Sequence, residues 1–182
     1  MPERLPTLLE DVVLLEPAVH GDERGFFVET FSRDAWAAVG VDAEFVQHNQ
    51  SRSAKGTLRG LHFQTEPGQA KLLRCARGTI FDVAVDLRRN SPTFGDWEGH
   101  VLDDQRHRQL FVPVGFAHGF AVLSDVADVA YQVSSYYDPE TEAGIAWDDP
   151  GVGVEWPVEE PLLSARDRAA PTLAEVADSL PW

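Results

Sequence analysis

A single cysteine, Cys75, leaves the chain without an internal disulfide or a multi-cysteine zinc site, and it agrees with a reducing compartment and a packing role for the thiol. No apolar run approaches the length needed to span a bilayer, and the opening MPERLPTLLEDV lacks the basic start and apolar stretch of a secretory signal. A cytoplasmic protein with no membrane partner is therefore expected. Basic residues are scarce: 15 Lys and Arg stand against 30 Asp and Glu, a formal net charge of -15 that argues against a nucleic-acid partner. Long helical patterns, internal repeats, low-complexity tracts and linkers are missing too. The 182 residues, 43% hydrophobic, read as one domain spanning 1–182.

What the chain does have is short strands. TIFDVAVDLR alternates Phe81, Val83, Val85 and Leu87 against Asp82, Ala84 and Asp86, and RQLFVPV, GFAVLS and VAYQVSSYY add further apolar or alternating runs. Gly and Pro punctuate them at GDERG, EPGQ, NSPTFGDW, PVG and DPETEAG. Two brief helices are expected: Arg33 to Val39, capped by Ser32 and stopped by Gly40, and about 172–180, opened by a Thr172/Glu175 capping box. Many short strands without long helices predict a mainly β protein, an antiparallel jelly-roll barrel of cupin-like type.

Charge is unevenly spread. Between Arg52 and Arg89 lie eight basic and three acidic residues, a local +5 in a chain whose remainder carries -20. Such a segment suits a small anion such as a diphosphate, and it equally suits strand-edge charges that guard against aggregation. Within it stands LRGLHFQ. Strand alternation puts Leu58, Gly60, His62 and Gln64 on one face and Arg59, Leu61 and Phe63 on the other. A histidine on a barrel wall is either a satisfied core group or a proton-transfer group, because its pKa lies near working pH.

Metal chemistry finds few ligands. Cupin metal sites use His-x-His on one strand, whereas two residues after His62 stands Gln64; PVGFAHGF supplies only His118 as a second imidazole, so no metal is expected. A proton-transfer site needs an orienting carboxylate, a cation for an enolate oxygen and a second acid, and Lys71, Arg59, Tyr131 and several carboxylates are available. Each has a plainer reading: Tyr131 shares a strand face with Val129 and Val133, and Asp167 could close a capping box with Ser164.

The segments GDERGFFVETF, FVQHNQSRSAKGTLRGLHFQ, AKLLRCARGTIFDVAVDLRRNSPTFGDW, FVPVGFAHGFAVLS, YYDPETEAGIAWDDPGVGVEWP and LSARD resemble, in order and spacing, the dTDP-4-dehydrorhamnose 3,5-epimerase family from about Val12 to Pro171. The resemblance implies a metal-free and cofactor-free jelly roll that epimerises a dTDP-4-keto-6-deoxyhexose at carbons 3 and 5. It implies His62 as base, Asp167 as its orienting carboxylate, Tyr131 as acid and Lys71 as the cation on the enolate. It further implies substrate contacts at Arg24, Glu29, Gln47, Asn49, Arg59, His118, Glu142 and Arg166. Relatives are homodimers whose N-terminal segment crosses to the partner, which would let Arg24 or Glu29 serve the neighbouring site. Gly60 beside His62 would leave room for a sugar ring. One departure stands out: His48 occupies a position that is aspartate in many relatives. Relatives that epimerise one carbon only share the same base, acid and carboxylate, and a non-catalytic nucleotide-sugar barrel is the reading from outside enzymology.

Overall fold

A computed structural model describes residues 1–182, which form thirteen strands and three short helices. They are β1 (Glu3–Leu5), β2 (Val13–Glu16), β3 (Val19–Asp22), β4 (Gly25–Val28), α1 (Arg33–Ala37), β5 (Gln47–Ala54), β6 (Leu58–Gln64), β7 (Lys71–Arg77), β8 (Thr79–Asp86), β9 (Trp97–Asp103), β10 (Gln109–Val112), β11 (Phe116–Val122), β12 (Val126–Val133), β13 (Glu142–Gly144), α2 (Ala165–Arg168) and α3 (Leu173–Val176). One sheet runs β1-β2-β10-β7-β12-β5 and a second β13-β6-β11-β8-β9, while β3 and β4 form a separate two-stranded ribbon. Every pairing between these strands is antiparallel. The result is the cupin-like jelly roll expected from the strand spacing. No helix is long and apolar enough to cross a membrane.

Three apolar clusters account for the layering. Leu73, Cys75, Leu110, Val112 and Val129 of the six-stranded sheet meet Ile80, Ala84, Leu102, Phe116 and Phe120 of the five-stranded sheet between the two. Outside the five-stranded sheet, Leu61, Phe63, Val83 and Val85 are covered by Ile145, Val152, Leu173 and Leu180 of the C-terminal segment. Outside the six-stranded sheet, Val13, Leu15, Leu72 and Phe111 are covered by Trp36 and Val41. Strands covered on both sides need not alternate apolar with polar, and β8 carries Asp82 and Asp86 fully buried between its hydrophobic residues.

Local expectations are met with adjustments. The helix at α1 ends at Ala37 rather than Val39, and Ser32 caps it with no side-chain bond; its carbonyl accepts from Trp36 N at 2.9 Å. The Thr172/Glu175 capping box is present and opens a shorter helix than expected, Leu173–Val176, followed by a 3-10 turn at Ala177–Ser179. The largest correction concerns β6. His62 pairs with His118 on β11, but Arg59 pairs with Phe120, so Gly60 and Leu61 together oppose the single residue Gly119. This bulge breaks the alternation expected for LRGLHFQ. Gly60 is not leaving room for a ligand: at φ +136°, a Cβ there would meet Gly119 Cα at 2.5 Å, so the missing side chain serves backbone approach.

Candidate active site

At one end of the sandwich the apolar filling gives way to a cavity of about 280 Å³ lined by polar side chains. Strand periodicity explains who lines it. Lys71 continues the interior face of Leu73 and Cys75 on β7, Tyr131 that of Val129 on β12, and His118 that of Phe120 on β11. The bulge adds Arg59 to the His62 side of β6, so both line the cavity. Of the twelve residues singled out in the sequence, His62, Asp167, Tyr131, Lys71, Asn49, Arg59, His118, Glu142 and Arg166 are brought together there.

His62 and Asp167 come from β6 and α2, 105 residues apart, and their Nε2 and Oδ1 lie 2.5 Å apart. Ser164 Oγ accepts from Asp167 N at 3.0 Å, capping the short helix α2. Only half of the expected capping box forms: the Asp167 backbone donates to Ser164 Oγ, while the Asp167 carboxylate is turned to His62 and not back to the Ser164 backbone. Burial pushes the Asp167 carboxyl up, but the bonds from His62 and Ser164 and the charge of Arg166 outweigh it and hold the group below the usual carboxylate range. An ionised Asp167 can only accept, so the proton on this hydrogen bond belongs to His62 Nε2, and in the neutral imidazole Nδ1 is the nitrogen that carries the lone pair.

Lys71 is 9% exposed, and its Nζ donates to the His62 carbonyl at 3.2 Å. Burial lowers its pKa to about 8, with Glu142 and Asp82 pulling the other way. Burial likewise raises Tyr131, which keeps the phenol protonated at neutral pH. Glu142 accepts from the Tyr137 hydroxyl at 2.8 Å and pairs with Arg166; burial raises its pKa, and those two bonds together hold it below the usual value. His118 Nε2 lies 3.0 Å from both carboxylate oxygens of the fully buried Asp82. His62 and His118 face each other in register, yet each has its Nε2 on a different carboxylate, and no group of three or more His, Cys, Asp or Glu converges on a metal position.

Three expected residues lie apart in this chain. Gln47 donates to Asn49 Oδ1 at 2.9 Å and accepts from Tyr137 N at 3.1 Å, one step behind the wall. Arg24 pairs with Asp22 at the tip of the β3–β4 ribbon, and Glu29 follows that ribbon beside Met1 and Trp36. The locally basic stretch does not converge either. Arg52 is bonded to Asp128 and Arg88 to Asp86 and Asp11, so within it only Arg59 and Lys71 reach the cavity. His48 stands on the face of β5 opposite Asn49 and Ser51 and does not line the cavity. The sequence reading missed Ser51, Gln64, Tyr137 and Asp82. For Asp82 the signal was present, a carboxylate in step with Ile80 and Ala84 on a strand that proves to be covered on both faces.

A family model described as dTDP-4-dehydrorhamnose 3,5-epimerase matches residues 6–175. A dTDP-4-dehydrorhamnose 3,5-epimerase of Shigella flexneri is 53% identical over 165 residues, 90% of this chain and 91% of that protein. The Neisseria gonorrhoeae protein of the same name is 52% identical over 96% of this chain, which spans 54% of that longer protein. Among solved structures, a dTDP-6-deoxy-D-glucose-3,5-epimerase from Legionella pneumophila in complex with dTDP-4-keto-L-rhamnose superposes with a TM-score of 0.96 at 45% identity, covering 100% of this chain and 98% of that one. A 3'-monoepimerase from Streptomyces bikiniensis in complex with dTDP-quinovose reaches a TM-score of 0.89 at 40% identity, covering 96% and 89%.

Proposed function

The chain belongs to the dTDP-4-dehydrorhamnose 3,5-epimerase family, and on that premise we propose that it epimerises a dTDP-4-keto-6-deoxyhexose at carbons 3 and 5. The observation that carries this reading is the placement of base and acid on opposite walls. His62 stands on the five-stranded sheet and Tyr131 on the six-stranded sheet, with both lining one cavity. A sugar ring held between them would lose a proton to His62 Nδ1 on one side and regain one from the Tyr131 hydroxyl on the other, which is inversion.

Carbons 3 and 5 flank the carbon-4 ketone, so removing either hydrogen as a proton moves the electron pair onto the carbonyl oxygen. Lys71 ammonium is the cation proposed to meet that oxygen, in a cavity where a fixed charge counts for more than in water. Protonation from the opposite face returns the pair to carbon. Carbon keeps its oxidation state throughout, so the scheme requires no redox cofactor. Asp167 orients His62 through Nε2, while Asn49, Arg59, His118, Glu142 and Arg166 are proposed to hold the rest of the dTDP-sugar. Work on a nucleotide sugar, together with one unpaired buried thiol, is in keeping with the cytoplasm.

Incubation with dTDP-4-keto-6-deoxyglucose in heavy water is expected to place deuterium at carbons 3 and 5, read by NMR. Tyr131→Phe should keep exchange through His62 yet lose inversion at carbon 5. Uptake at one carbon only would favour the one-carbon reading that the Streptomyces bikiniensis enzyme keeps open. Absence of uptake by protein that still binds the dTDP-sugar would refute epimerisation and return the chain to a binding role.

Arg24 and Glu29 motivate a second proposal, that the active form is a homodimer. The β3–β4 ribbon pairs only with itself and exposes Phe26 at 62% and Phe27 at 68%, apolar surface that a second copy would cover. In that arrangement the ribbon would carry Arg24 or Glu29 toward the neighbour's cavity. Sedimentation equilibrium should return twice the chain mass, falling to one chain in a Phe26→Ser, Phe27→Ser variant; a monomeric wild type with full activity would sink the idea.

A further inference from the structure

Gln47 does not line the cavity, yet it stands in the middle of a line of hydrogen bonds that ends at the Tyr131 hydroxyl. It opens β5 on the same face as Asn49, and Asn49 is the cross-strand partner of Tyr131 on β12. Tyr137 N, in the segment after β12, donates to Gln47 Oε1 at 3.1 Å, and Gln47 Nε2 donates to Asn49 Oδ1 at 2.9 Å. Asn49 is in turn hydrogen-bonded to the phenol: burial raises the Tyr131 pKa, while the charge of Arg59 and the bond from Asn49 lower it. Arg59 and Glu142 act on this phenol through charge alone.

One end of the line sets the direction of every bond in it. A backbone N–H can only donate, so the Gln47 atom facing Tyr137 is the carbonyl oxygen, and the NH2 is left for Asn49. That NH2 needs an acceptor, which turns the Asn49 oxygen toward Gln47 and the Asn49 NH2 toward Tyr131. The phenol oxygen then accepts, and its own proton stays free. With the Asn49 amide reversed, the carbonyl would hold the phenol proton in the wall. A side-chain amide can pass such an ordering on because it carries an acceptor on one arm and a donor on the other.

We infer that Gln47 is a positioning residue of this site: it orders the Asn49 amide so that Asn49 donates to the Tyr131 oxygen and the phenol proton is offered to the sugar ring. The inference rests on the epimerase reading of Tyr131 and supplies what keeps that proton available. When the phenol gives its proton to carbon, the Asn49 N–H is already in place on the phenolate oxygen.

In Gln47→Glu the carboxylate still accepts from Tyr137 N but cannot donate, so Asn49 should turn its NH2 to position 47 and its oxygen to Tyr131. At saturating substrate in heavy water, this variant should exchange the substrate proton through His62 within about threefold of the wild-type rate, while inversion at carbon 5 falls by on the order of tenfold to a hundredfold. A residue that only supported the fold would lower both together. In an Asn49→Ala background the same substitution should change the ratio of inversion to exchange by less than about twofold, because nothing is left to transmit it, whereas a plain effect of the added charge would persist. The tyrosine Raman doublet, which separates an accepting hydroxyl from a donating one, reads the ordering without substrate. With three tyrosines in the chain, the difference between wild type and Tyr131→Phe isolates Tyr131. It should show an accepting hydroxyl, and the same difference in the Gln47→Glu background a donating one. Exchange and inversion falling by one factor, a full effect persisting in Asn49→Ala, or an unchanged doublet would each overturn the inference. Should Gln47→Glu not fold, Gln47→Met, which neither accepts nor donates, carries the test, and a wild-type ratio of inversion to exchange is its refuting result. The Raman reading needs no turnover, so a switched doublet in a protein that takes up no deuterium would uphold the ordering of the amides while the epimerase reading fell.

Discussion

Replacement of His62 by alanine is expected to lower turnover by on the order of 10⁴-fold while the jelly roll survives. The side chain is part-buried at the cavity wall and contributes its imidazole to a single bond with Asp167, so its loss removes a base without opening the apolar core. Asp167→Asn should fall by about 10³ to 10⁴, because an amide can turn its NH2 to donate to Nε2, which moves the imidazole proton to Nδ1 and removes the free base. The double variant should be little worse than His62→Ala alone, since an orienting carboxylate has nothing to orient once the imidazole is gone. Deuterium uptake gives the rates and circular dichroism the fold. A His62→Ala protein exchanging at the wild-type rate would end the assignment.

Removing the Lys71 ammonium should cost about 10²- to 10³-fold in kcat, as loss of a fixed charge at a developing oxyanion does elsewhere. Lys71→Met keeps the length and the buried stem, so the loss isolates the charge. The pH profile separates this from unfolding. Burial sets the Lys71 pKa at about 8, below its ordinary 10.5. Activity that needs the ammonium should decline as pH rises through 8. Over 8 to 10.5 the unfolded chain binds the extra proton and the folded chain does not, so this group makes the fold more stable as pH rises. Activity and stability should therefore move in opposite directions above pH 8. A melting temperature that drops together with kcat, or a Lys71→Met protein whose alkaline limb matches wild type, would contradict the role given to Lys71.

The strands were legible because turn residues and apolar runs mark them locally: LRGLHFQ corresponds residue for residue to β6, and the Thr172/Glu175 capping box is where its pattern falls. Nine of the twelve candidates, singled out through the family resemblance, meet in one cavity. What local pattern could not supply was pairing across distance. Asp167 carries a capping context and a catalytic context in the same four residues, and only the fold brings its carboxylate to a histidine 105 positions away. Asp82 looked like the polar phase of an amphipathic strand until the C-terminal segment covered the other face. The basic stretch looked like an anion site, but charge counted along a chain ignores neighbours, and Arg52 and Arg88 are already satisfied by Asp128, Asp86 and Asp11.

The two-for-one count at Gly60 and Leu61 lets a single strand present two polar side chains to one cavity. Positions three apart on a regular strand have opposite parity, so Arg59 and His62 would project away from each other. One inserted residue resets the phase: upstream of Gly60 odd numbers look into the cavity, downstream even ones do. A guanidinium and an imidazole thus reach the same cavity from one continuous strand, and a deletion that restored the uniform rhythm would turn one of them outward while leaving every remaining residue type unchanged.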